Sequence, residues 1–171
     1  MANGKYIRVN DSTGLLEELE ALEVSTGVAD ASKPIKTDST GKLDLSLMPV
    51  GIGPDTQDIV CTENLSSGEF VNIYNNLGSV AVRKADRSNG RQAHGFVIQN
   101  YTAAQVAKVY KDSENNALTG LTIGAAYYLG LAGAATLTPP AAGSGHLLQA
   151  LGVAMSVTEI DVEIEKPITR N

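Results

Sequence analysis

The sequence has no tryptophan, two phenylalanines and only 5% aromatic residues overall. That scarcity argues against a deep ligand pocket lined by rings, and against a platform on which bases or sugars could stack. There is one cysteine, so no intramolecular disulfide can form. Within the apolar run Ile59-Val60-Cys61, it reads as a small buried hydrophobe. The two histidines, His94 and His146, stand outside any His-x-x-x-His or Cys-x-x-Cys spacing, and no acidic calcium-loop pattern occurs. No metal or other cofactor is therefore expected. No apolar run approaches the ~20 residues that cross a bilayer. The opening Met1-Ala2-Asn3-Gly4-Lys5 lacks the apolar stretch of a signal peptide, so neither export nor membrane association is expected. Positive charge is also in short supply: 13 Lys and Arg stand against 19 Asp and Glu, a net charge of −6. Such a chain has no electrostatic reason to seek nucleic acid.

What is present is small and β-favouring. Seventeen glycines accompany many Ala, Ser and Thr, so a core must be made from Val, Ile, Leu and Ala, which suits thin β layers. Within 55–171, strands are predicted at 57–61, 69–74, 79–84, 95–100, 105–110, 125–129, 147–156 and 159–163. Turn signals such as Ser67-Gly68, Ser88-Asn89-Gly90 and Thr138-Pro139-Pro140 part most of them. Eight short strands at this spacing predict an all-β barrel or sandwich. Ile160, Val162 and Ile164 are expected to face inward, with Asp161, Glu163 and Glu165 outward. A helix at 103–109 is the competing assignment for one strand.

Residues 1–54 differ in character and read as an N-terminal arm. Lys5–Val9 alternates like a strand, and Asn10-Asp11-Ser12-Thr13-Gly14 is dense in turn formers. In the following 15–23, Leu15, Leu19 and Leu22 match a helical stripe, yet nine residues are too few for an independent helix. Propensity favours the helix and context the hairpin; the hairpin is preferred. A small-residue linker follows. Leu43, Leu45 and Leu47 then alternate with Lys42, Asp44 and Ser46, predicting an extended strand with one apolar side that Pro49, Gly51, Gly53 and Pro54 stop. Such a strand cannot satisfy its backbone alone and must lie against its own domain or another subunit.

No catalytic constellation emerges. The glycines at 130–133 and 143–145 lie in Ala-rich loops and not at a helix start, so they do not cradle phosphate. Asp161, Glu163 and Glu165 on one strand face are expected to be solvated. The basic cluster Arg83, Lys84, Arg87 and Arg91 reads as a solvated loop or, secondarily, as a docking patch for an acidic protein surface.

Several segments in order resemble tailed-bacteriophage virion proteins. They are Gly41-Lys42-Leu43-Asp44-Leu45-Ser46-Leu47-Met48-Pro49 with Gly51-Ile52-Gly53, then Ser67–Tyr74, Val82–Asp86, Ala93–Val97, Leu118–Leu129 and Leu151–Ala154. The chain is similar to head decoration (cement) proteins, a family whose β module also occurs in tail fibres. That resemblance implies no catalytic residues. It implies a β domain on the capsid exterior, bound to major capsid proteins through extended segments, and it too favours the hairpin. Ile7, Val9, Leu43, Leu45, Leu47 and Met48 are the candidate interface side chains, joined by Arg83 and Lys84. Burying the six apolar ones yields a gross gain on the order of 10 kcal/mol, much of it offset by ordering the arm. Several arms in one oligomer would raise the affinity, so self-association is expected, a trimer before a dimer. Two other readings compete: a tail-fibre or adhesin module binding the host surface, and a small hydrolase using His94 or His146 as base.

Overall fold

The computed structural model describes residues 4–48 and 55–171, with the side chain of Leu45 outside the description. The chain divides into two compact units, Met1–Gly53 and Pro54–Asn171. The expected strand stop at Pro49, Gly51, Gly53 and Pro54 lies outside the described residues.

In the first unit, β1 (Lys5–Val9) and β2 (Leu16–Glu20) form an antiparallel hairpin. Its turn is built by Asn10, whose Oδ1 accepts the N–H of Ser12 at 3.0 Å and of Thr13 at 3.2 Å. This local bonding, together with cross-strand pairing of Tyr6 with Leu19 and Val9 with Leu16, outweighs the helical propensity of the Leu-Glu run. Beyond β2, Leu22 forms a parallel bridge to Ile35. The extended strand expected at 43–48 is not found. Leu45–Leu47 is instead a short 3₁₀ turn. Asp44 decides the matter: its carboxylate accepts the Ser46 N–H at 2.9 Å and its carbonyl accepts the Leu47 N–H at 3.1 Å. A short polar side chain bonding its own backbone closes a turn where apolar alternation alone would have extended the chain.

The second unit is all-β. It holds β3 (Asp55–Val60), β4 (Phe70–Asn76), β5 (Ser79–Lys84), β6 (Gly95–Phe96), β7 (Val106–Asn115), β8 (Ala126–Leu129), β9 (Ala135–Thr136), β10 (Leu147–Leu148), β11 (Ala150–Ala154), β12 (Ile160–Val162) and β13 (Ile168–Thr169). A nine-stranded sheet runs β5-β4-β6-β7-β12-β11-β8-β9, with β3 also on β7. Strand β7 is the hinge of this order. Residues 106–112 pair with β3 and 113–115 with β12 along the same strand. Past the end of β3, Cys61 bridges Val82 of β5 in parallel, so this half of the sheet curls back on itself.

Two apolar cores result. One collects Ile59, Cys61, Leu65, Val71, Val82, Val97, Ala107 and Val109. The other gathers Phe70, Phe96, Tyr127, Leu129, Leu151, Ile160 and Val162 with three alanines. Neighbouring residues serve different cores: Phe70 and Val71 on β4, Phe96 and Val97 at β6, because successive side chains point to opposite faces. Both phenylalanines are fully buried, and Phe96 stacks on Tyr110 with ring centroids 5.6 Å apart.

Three strand predictions need correction, and the helix at 103–109 is absent. The segment 95–100 is a strand only through Phe96, since Ser67 and Asn100 side chains take over the backbone: the Ser67 hydroxyl donates to the Ile98 carbonyl at 2.7 Å and Asn100 Oδ1 accepts the Ser67 N–H at 2.9 Å. Strand β7 runs on to Asn115 through a polar stretch with no apolar alternation to announce it. The predicted 147–156 strand is split at Gln149 into β10 and β11.

Candidate interaction surfaces

None of the described residues of the first unit is buried. Its hairpin has one face carrying Lys5, Ile7 and Val9 from β1 with Leu16, Glu18 and Glu20 from β2, since directly paired residues share a face. Ile7 is 67%, Val9 54% and Leu16 74% exposed. A Lys5–Glu18 ion pair at 2.6 Å borders these three. The opposite face holds Tyr6, Leu19 and the Arg8–Glu17 pair, where Glu17 also accepts from Asn10 Nδ2 at 3.0 Å. Those bonds, the one from Asn10 first, hold the Glu17 carboxyl below its usual range. Of the other predicted interface residues, Leu43 is 42% exposed, while Leu47 and Met48 are half-buried.

Carboxylates take the place of a core in this unit. Asp30 accepts from the Lys33 ammonium at 2.8 Å and from the Thr26 N–H and hydroxyl at 2.7 and 2.8 Å, which pulls its pKa down to about 2. Asp38 accepts from the Lys42 N–H and from the Thr40 hydroxyl and N–H, all within 2.9 Å, and is likewise lowered.

The basic cluster is occupied within the second unit. Arg83 lies 4.0 Å over the Tyr74 ring and donates from Nε to Asn72 Oδ1 at 3.0 Å. Lys84 pairs with Glu69 at 2.7 Å, and Arg87 donates to the Thr138 carbonyl at 2.9 Å. Arg91 faces Glu63 at 3.9 Å. Sequence reasoning placed these cations together; it could not see that each one holds a partner.

His94 is half-buried. Its Nδ1 accepts the Ile73 N–H at 3.0 Å and its Nε2 lies 2.7 Å from the Gln92 amide. Burial lowers its pKa. Both ring nitrogens are thus engaged, Nδ1 with β4 and Nε2 with Gln92. His146, next to β10, has its own N–H directed to the Ser144 hydroxyl at 3.3 Å. The Cys61 thiol is buried and donates to the Thr102 carbonyl at 3.1 Å. Among the described residues no group of three or more His, Cys, Asp or Glu is placed to hold a metal ion. No helix among them is long and apolar enough to cross a membrane.

No protein-family model matches the chain, and no curated protein matches it in sequence. Among solved structures, the head fiber gp8.5 N base in bacteriophage phi29 is similar, with a TM-score of 0.45 and 11% identity over 69% of this chain and 96% of that one. A likeness at that level gives no ground for assigning a role, which has to rest on the surfaces themselves.

Proposed function

We propose that the chain is a structural, non-enzymatic protein of a tailed-phage virion, made in the host cytoplasm and bound to the capsid exterior. In this reading the N-terminal unit is the attachment element, and it clamps neighbouring major capsid proteins. The observation that carries the proposal is the absence of any buried residue among the described residues of this unit, combined with the exposure of Ile7, Val9 and Leu16 on one hairpin face. A two-stranded hairpin is marginal in water without a further surface to cover its apolar side. The second unit, by contrast, has two apolar cores of its own. The ordered string of segments resembling decoration proteins supplies the kind of partner. Arg83 and Lys84, engaged by Tyr74, Asn72 and Glu69, drop out of the attachment surface.

The test is co-sedimentation with expanded capsids that lack the protein. Wild type should pellet with them, and Ile7→Asp combined with Leu16→Asp should stay in the supernatant while the second unit keeps its thermal transition. A double variant that pellets like wild type overturns the proposal.

A further inference from the structure

We infer that two copies of the chain join through β1, edge to edge and antiparallel about a two-fold axis at Ile7, making one four-stranded sheet from two hairpins. The hydrogen-bond phase of the hairpin is the starting point. Asn10 donates to the Leu15 carbonyl at 2.8 Å and Ala21 to the Gly4 carbonyl at 2.7 Å, so the even-numbered residues of β1 bond inward to β2. Antiparallel pairs alternate in this respect. The N–H and C=O groups of Lys5, Ile7 and Val9 therefore point away from β2. Among the described residues nothing pairs with them, and the bonds of Leu22 to Pro34 and Lys36 lie past the end of β2. One full edge is open, and an open edge is a template for another strand.

The side chains of that edge select a second copy as its occupant. In a two-fold pairing centred on Ile7, Ile7 meets its own counterpart, Tyr6 meets Arg8 of the second copy, and Lys5 meets Val9. No like charges are opposed, and an aromatic ring lies beside a guanidinium twice over. Ile7, Lys5 and Val9 are also the residues whose backbone groups face out, so the same register satisfies every free group. A register moved by two residues would set Arg8 opposite Arg8 or Tyr6 opposite Tyr6 and lose this match. The pairing also has a product. Leu16, Val9 and Ile7 of both hairpins fall into one diagonal apolar stripe, twice the length available to a single chain. This inference rests on the proposed attachment role only in giving that stripe a use, and it favours a dimer over the trimer that avidity alone allowed.

Ile7→Cys in the full chain is the direct test, because paired antiparallel residues lie about 4.5–5.5 Å apart at Cα, within disulfide range. Under mild oxidation Ile7→Cys should give a covalent dimer, and Leu16→Cys, exposed on the same face but remote from its counterpart, should not. Sedimentation velocity of wild type should show a concentration-dependent dimer. Ile7→Pro, which removes an outward N–H and no bond to β2, should abolish it while hairpin NMR shifts persist. Equal cross-linking at positions 7 and 16, or a monomer at millimolar concentration, overturns the pairing. Capsid binding by wild type is scored separately, so a monomer that still binds capsids overturns this inference and leaves the proposed function standing.

Discussion

Gln149 pairs with the backbone of Ala93 as a strand residue would: its Oε1 accepts the Ala93 N–H at 2.8 Å and its Nε2 donates to the Ala93 carbonyl at 3.0 Å. The same Nε2 donates to the Glu165 carbonyl at 2.9 Å, and the side chain is only 2% exposed. One amide thus ties Ala93 to the segments of Gln149 and Glu165. Gln149→Met keeps the volume and removes every bond, leaving buried backbone groups without partners. A loss of about 2–5 kcal/mol is expected from the desolvation cost of such groups. The urea midpoint of the second unit's transition measures it.

His94 makes stability depend on pH. Because Nδ1 accepts the Ile73 N–H, the folded state requires the neutral ring, and burial disfavours the charged one. The folded pKa lies below the usual 6.5. The stabilisation is therefore complete above that value and is lost as pH falls below it, since the unfolded chain takes up the proton first. Wild type should lose thermal stability between pH 7.5 and 5. His94→Gln should start less stable and show a flatter profile over the same range.

Acid should loosen the N-terminal unit through a different set of groups. Glu17, Asp30, Asp38 and Asp44 all have lowered pKa values from the bonds they accept. Their contribution is present above the ordinary carboxylate range near ~4 and disappears as pH drops through the folded values. Amide hydrogen exchange at pH 3, corrected for the intrinsic rate, should show protection lost at Leu47 and Lys42 while core amides of 55–171 remain protected. Uniform loss across both units would contradict the assignment.

Gly152 is irreplaceable for two reasons at once. It adopts φ +144°, and a Cβ there would lie 2.0 Å from the Asp161 carbonyl oxygen across the β11–β12 pair. Gly152→Ala should cost on the order of 3 kcal/mol from strain and overpacking together. Gly143, at φ +76° with open space around it, provides the contrast: Gly143→Ala should cost only about 1 kcal/mol. Paired thermal melts of the two variants make the comparison.

Where a segment's own side chains determine its geometry, the sequence was readable. Ser79–Lys84 is a strand with the bounds its alternation predicts, and Ile160 and Val162 are buried with Asp161 exposed between them. Reading stopped where a distant group decides. Lys111–Asn115 is held extended by β3 and β12, not by its own polar residues. Gln149 gains its meaning from Ala93, fifty-six positions away. Asp44, though local, turned the leucine alternation into a 3₁₀ turn because one side-chain bond outcompeted a strand that had no neighbour to pair with. The candidate interface was legible in part. Ile7 and Val9 are exposed, Leu16 beside them was not among the candidates, and the partners of Arg83 and Lys84 come from Tyr74, Asn72 and Glu69.

The alternate placement of Phe70 and Val71 in two cores has a consequence for folding fidelity. A slip of β4 by one residue would either push the Phe70 ring into a space shaped for a valine and bring Glu69 to the ring's place, or leave Val71 where the ring belongs and bring Asn72 into the valine's place. The first slip is penalised by collision, the second by a void, and each carries a polar side chain into one of the cores. The strand therefore works like a key cut on both edges, and misaligned intermediates are rejected by either lock.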